Sequence, residues 1–215
     1  MASYIFGMGQ VAEVLHASLL FNGVLDEVDG FVVDEAYITG HTHSSKPIRP
    51  TSVISSNDEV YLGVSLKGLN RSRQDVFNRL QLVNAKLPKL VDRRANIDDG
   101  VKIGEASWIQ ELNNIQCYST IGTGVILWSG NHVGHHSTIG DFSFVASHAC
   151  IGGNVRIGER CFIGINSTIG DGVVIGDDCI IAAGAIVTKD VPSFSVVSPQ
   201  KNEVKYFGSR IHRIL

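Results

Sequence analysis

The sequence predicts a two-part chain: a small parallel α/β domain over residues 1–92, then a solenoid of short β coils over 93–192, with 193–215 as a C-terminal tail. Three observations carry this. From Ile97 to Val187 every sixth residue is Ile, Val or Leu, sixteen times without an insertion. The residue after it is Gly in nine of those hexads. Ahead of the repeat, short apolar runs alternate with segments of helical periodicity, the order expected of a parallel α/β unit.

The first domain begins with a strand at Ser3-Tyr-Ile-Phe-Gly, followed by a helical run from Met8 to Phe21 and a second strand at Phe31-Val-Val-Asp-Glu. A further strand at Glu59-Val-Tyr-Leu-Gly-Val-Ser precedes a helix from about Arg71 to Val83. The first turn, Gly7-Met-Gly9-Gln10, holds two glycines of a dinucleotide fingerprint, a weak signal by itself. Asp34-Glu35 ends the second strand, where such domains hold a ribose or base edge, and Gly7 and Gly9 leave room for phosphate at a helix N-terminus. The same acidic pair also reads as an ordinary solvated turn. Asn70 and Arg73 open the later helix and are positioned to meet phosphate or to cap it, with capping the expectation for Asn70.

A period of six fits neither the helix nor the alternating strand, so each hexad contributes one short, flat side of a coil. Glycine after the aliphatic residue is expected where the backbone turns tightly or takes positive φ. Four places after the aliphatic residue stand small or β-branched side chains such as Val101, Ser107, Ser119, Val125, Cys161, Val173 and Cys179, which suit a second inward column.

These repeats resemble those of the hexapeptide-repeat acyltransferases, which wind a left-handed parallel β-helix with three hexads per coil. Sixteen hexads then make about five coils. A small Rossmann-like α/β N-terminal domain followed by a left-handed parallel β-helix resembles the nucleotide-sugar acyltransferases, including the bacillosamine-pathway and perosamine N-acetyltransferases and the sialic-acid O-acetyltransferase family. The resemblance spans nearly the whole chain. It implies acetyl-CoA as co-substrate, a nucleotide-linked amino sugar as acceptor, a homotrimer, and a role in lipopolysaccharide O-antigen biosynthesis.

Acyl transfer from a thioester needs a base for the acceptor's proton, and histidine suits neutral pH. Val133-Gly-His-His-Ser-Thr-Ile-Gly-Asp-Phe142 resembles the family stretch around its catalytic histidine and places His135 as the base. Where relatives carry Glu or Asp next, this chain has His136, which brings no negative charge to orient or strengthen the base. The resemblance further implies a coenzyme A groove near Gly153, Ile165 and Ala183. Phe144 stands where the family commonly has a histidine near the thioester, and Lys201 is placed to meet a CoA phosphate.

A metal site is not expected: adjacent residues of a flat coil side point in opposite directions, which parts His135 from His136, and no C-x-x-C occurs. The net charge of −3 argues against nucleic acid as a partner. The N-terminus lacks a basic region and a long apolar run, and no stretch approaches a membrane span, so a cytoplasmic protein is expected. N-acetylation of a UDP- or dTDP-linked amino-deoxy sugar is the leading reading. O-acetylation of a sugar hydroxyl, as on sialic acid, and a non-catalytic hexapeptide scaffold are the alternatives.

Overall fold

The computed structural model describes residues 2–24, 28–64 and 66–199. The N-terminal domain holds strands β1 (Ser3–Phe6), β2 (Gly30–Val33), β3 (Thr42–His43), β4 (Lys46–Pro50) and β5 (Glu59–Leu62), with helices α1 (Gln10–Phe21) and α2 (Arg71–Leu82). The sheet order is β3-β4-β2-β1-β5, and every pair is parallel except the β3–β4 hairpin. All residues of β1 and β2 are buried, the unalternating pattern of strands covered on both faces. Ala12, Leu15 and Leu19 turn one side of α1 onto Ile5, Phe31 and Tyr61. Val76, Phe77 and Leu80 of α2 cover the other sheet face, at Tyr4, Phe6, Val60 and Leu62. The β3–β4 hairpin was not expected: Pro47 and Pro50 give its sequence the look of a loop, yet β4 pairs with β2.

Two-residue strands then stack into three parallel sheets, a left-handed parallel β-helix. Face A runs from Leu90–Val91 to Val196–Val197, face B from Asn96–Ile97 to Ile186–Val187, and face C from Lys102–Ile103 to Val174–Ile175. Residues eighteen apart are partners, as in Ile115 with Val133 and Ile139 with Ile157. Only the last coil is shorter: Ile180 pairs with Val196 and Ile175 bridges Val191, each sixteen residues on. We place the limits of this domain at Leu90 and Val197, where its ladder begins and ends.

From Ile109 to Val187 the aliphatic frame is at most 4% exposed. The second inward column is buried too from Ser107 onward, and it includes Asn113 and Asn131, which break its small-residue rule. Their amides donate to the carbonyl of Trp128, so the polar groups are used inside the coil. Serines act in the same way: the Ser119 hydroxyl donates to Gly134 O at 2.9 Å and accepts from Ser137 N. Cys161 and Cys179 are free and buried, and burial pushes the Cys161 thiol up to about 12.

The glycines serve a different purpose from the one expected. Positive φ falls two residues later in the hexad, mostly on other residue types, including His136 at 59° and Phe142 at 56°. Gly134, whose φ is ordinary, is required because a Cβ there would lie 2.5 Å from the backbone of Gly152 in the next coil. Close stacking of coils, and not handedness of the turn, selects glycine there.

The N-terminal domain lies on face A and on the turns leading into it from face C. Trp108, Ile126 and Phe144 of face A join the α1 cluster, and Ala106 and Phe142 join the α2 cluster. Phe77 meets Phe142 edge-on at 5.3 Å, and Arg71 pairs with Asp178 at 2.8 Å.

Candidate active site

Two features qualify, and they occupy opposite sides of the coil. The first is a cavity of about 680 Å³ at the carboxyl ends of β1, β2 and β5, where parallel sheets bind ligands. Gly7 has φ of 113°, and a Cβ there would lie 2.6 Å from the Gly63 carbonyl, so close approach of β1 to β5 demands glycine. Gly9 is the N-cap of α1, with no side-chain cap and open space where a Cβ would stand. The first amides of α1, with exposed Gln10, therefore face the cavity as an anion-attracting end.

Asp34 lines this cavity but is already engaged. Arg79 of α2 forms a two-pronged ion pair with its carboxylate, and Thr51 Oγ1 donates to it at 3.3 Å. The Arg79 guanidinium holds the Asp34 carboxyl below the usual carboxylate range. Glu35 is exposed and takes no part in the lining, so the acidic pair is split. Arg79, Ser72, Asp75 and Tyr37, which the sequence reading did not single out, complete the walls. The sequence predicts the helix that carries Arg79, but the meeting of Arg79 with Asp34, forty-five residues away, is a tertiary relation that no local pattern shows.

Asn70 holds the N-cap position of α2 without capping it. Its φ is 63°, its side chain makes no cap bond, and both amide atoms are buried without a partner. Left-handed backbone turns the amide away from the helix amides it was expected to meet. Arg73 is fully buried, with Nε and Nη1 unpartnered, and burial pushes its guanidinium down to about 9.

The second feature is the turn from face B to face C at Gly134–Ser137. His135 and His136 are both exposed there. They do not point apart as expected, because they sit in a turn with positive φ and not on a flat side. Their Nδ1 atoms are 3.1 Å apart, and the rings are almost perpendicular at 84°. Gln116, one coil earlier, accepts the His135 backbone amide at 3.0 Å, and Tyr118 lies against His136 with ring centres 4.9 Å apart. Gly153, one coil later, leaves the space the His135 imidazole fills, since a Cβ there would lie 2.8 Å from Cε1. Among the described residues no group of three or more His, Cys, Asp or Glu is placed to hold a metal ion.

The other donor-side residues are dispersed. The Gly153 amide donates to Asp171 Oδ1 at 2.8 Å, so it is not open to a thioester. Ile165 and Ala183 are exposed, eighteen residues apart in the turns from face A to face B, a different corner from His135. Phe144 is not at a surface. It is 4% exposed, stacked on Phe162 at 5.4 Å with Trp128 edge-on, inside the packing between the domains. Its large apolar ring supports the N-terminal domain instead. Lys201 lies outside the described residues.

The fold and the histidine turn together define the class: a left-handed β-helix of hexapeptide repeats carrying a small α/β domain. Residues 154–189 match the family model for the hexapeptide repeat of succinyl-transferase. Among solved structures, the chain is similar to a mutant of perosamine N-acetyltransferase from Caulobacter crescentus in complex with CoA and GDP-perosamine, at 24% identity and TM-score 0.80, over 91% of this chain and 92% of that one. It is also similar to the acetyltransferase domain of PglB from Neisseria gonorrhoeae in complex with acetyl coenzyme A, at 23% identity and TM-score 0.80, over 93% and 98%. WeeI from Acinetobacter baumannii gives 20% identity and TM-score 0.80, over 91% and 95%. At these identities the likeness establishes the fold. No curated protein sequence matches the chain.

Proposed function

We propose that the protein is an acetyl-CoA-dependent N-acetyltransferase acting on the amino group of a nucleotide-linked amino-deoxy sugar, with a UDP or dTDP carrier, and with His135 as the general base. The observation that carries this reading is an exposed imidazole, His135, whose Nδ1 lies 3.1 Å from His136 Nδ1, so that Nε2 is the nitrogen that would meet the acceptor. The nucleotide would lie in the cavity at Gly7, Gly9 and Gln10, with its diphosphate against the α1 amides and its remaining parts near Asp34 and Asn70. Two solved neighbours of the same fold hold CoA with GDP-perosamine and acetyl coenzyme A, which supports this pairing of substrates.

Within one chain the cavity lies on the side of face A, whereas His135 stands at the corner opposite that face. A sugar anchored in the cavity therefore reaches a histidine of a second copy, and we propose a homotrimer whose boundaries complete each site. Acetyl-CoA would run along such a boundary past Ile165 and Ala183. In the reaction the amine attacks the thioester carbonyl, His135 Nε2 takes the amine proton, and the proton ends on the departing thiolate.

The test is release of CoA thiol over a panel of UDP-, dTDP- and GDP-linked 3-amino and 4-amino sugars. The expected result is turnover with a nucleotide-linked amine that falls about a hundredfold or more in H135N. Equal turnover of sugars lacking the amine would replace the reading with O-acetylation. No turnover with any sugar, together with no binding of acetyl-CoA, would leave a hexapeptide scaffold.

A further inference from the structure

We propose that His136 is a positioning residue that orients the base as an uncharged acceptor, so that the histidine pair, neutral at rest, works as a unit that takes up one proton. The proposal rests on His135 being the base. Two Nδ1 atoms 3.1 Å apart share one proton: with both unprotonated their lone pairs repel, and with both protonated their N–H groups collide. One arrangement leaves the base usable. His135 carries the proton on Nδ1 and donates it to His136 Nδ1, while His136 keeps its own proton on Nε2. The His135 Nε2 lone pair is then free for the acceptor amine.

The turn is built to hold this geometry. Positive φ at His136 folds its ring back toward its neighbour. The His136 amide donates to Cys117 O at 3.1 Å and the His135 amide donates to Gln116 Oε1, so both backbones are tied to the coil before. Tyr118 backs the His136 ring on one side, and Gly153 makes room for the His135 ring on the other. The titratable groups of this corner near the pair are Cys117 and Tyr118 on the preceding coil, Asp98 and Asp99 two coils before, and Asp171 two coils on, whose Oδ1 is taken by the Gly153 amide. The following coil brings Gly153 and Asn154, which do not titrate.

The proton balance follows from the pairing. When His135 Nε2 accepts the amine proton, its Nδ1 proton can move to His136 Nδ1, leaving His135 neutral and His136 an imidazolium exposed to solvent beside Tyr118. The reverse movement returns a proton through His135 Nε2 to the thiolate sulfur of CoA. A carboxylate partner would instead stabilise the imidazolium on His135 itself, raising the pH at which the base is lost.

The experiment combines tautomer detection by nitrogen-15 NMR with the pH profile of kcat/KM in wild type, H136G and H136E. Glycine tolerates the positive φ, so H136G removes the ring without backbone strain. Expected are a His135 tautomer protonated at Nδ1 in wild type and lost in H136G, and a kcat about tenfold lower in H136G. H136E should recover part of that loss with its acidic limb about one pH unit higher than wild type. A His135 protonated at Nε2 in wild type overturns the pairing, as does an H136G enzyme with wild-type kcat and pH limb. A melting temperature lowered in H136G with kinetics unchanged would make His136 merely structural and overturn it equally. If no acetyl transfer is found with any sugar, the NMR result still decides the pairing, and only the assignment of His135 as base falls.

Discussion

Adding one methyl group at Gly153 perturbs the proposed base without touching the residues proposed to act. A Cβ built there would stand 2.8 Å from Cε1, 2.9 Å from Nε2 and 3.3 Å from Nδ1 of His135, against the 3.4 Å at which ordinary contact begins. The imidazole must therefore move by several tenths of an ångström, and the obstacle is an exposed side chain that is free to do so. Displacement of a reacting group by about 1 Å costs on the order of a hundredfold, so a shift of roughly half that predicts about a tenfold loss of kcat in G153A. Folding should be spared. In G134A the Cβ meets Gly152 backbone at 2.5 Å, which cannot yield without separating coils, and that variant should lose stability or fail to fold. The assay is steady-state acetyl transfer beside thermal melting and the His135 ring resonances. A G153A enzyme with wild-type kcat and a displaced His135 signal would refute the role of His135. Unmoved signals would refute the stacking geometry.

Ile139→Asp or Ile157→Asp places a carboxylate in an interior at most 2% exposed, costing about 4 kcal/mol or more, and should abolish soluble folded protein on gel filtration. Asp34→Ala should raise KM for the sugar nucleotide several-fold by freeing Arg79 inside the cavity, whereas Glu35→Ala should leave it within twofold. Equal effects in steady-state kinetics would put the cavity's role in doubt. Asp92, held down to about 2 chiefly by its hydrogen bonds from Arg94, has a folded value below its unfolded 3.8. Its stabilisation is therefore present above about pH 4 and disappears as pH falls toward about 2, so Asp92→Asn should flatten acid denaturation in that window.

The repeat was legible because a solenoid writes its geometry into a fixed spacing: Ile109 through Val187 are buried as the six-residue frame requires. What the spacing concealed was cause. Glycine after Ile or Val looked like a turn former, but clearance from the next coil, seen at Gly134, is a relation between residues eighteen apart that a single hexad does not show. The N-terminal sheet was legible at β1, β2 and β5, whose apolar runs are continuous, and illegible at β4, whose prolines sit beside β2 in a half-buried strand. His135 was reached through a local motif. Its contact with His136 is not legible from strand alternation, because the two residues belong to a turn and not to a flat side. Phe144 is linked to the thioester only by the family resemblance, and the presence of the N-terminal domain over face A explains its burial.

The eighteen-residue register, kept until the shorter last coil, makes the β-helix a ruler with one permitted graduation. Adding or removing one whole coil shifts everything beyond it by one strand spacing, about 4.8 Å, and keeps every column in line. Any other insertion has to bulge from a corner. A groove along such a shaft therefore lengthens only in discrete steps, and the reach between the histidine corner and features farther along the axis is set by counting coils, independently of the side chains that line them.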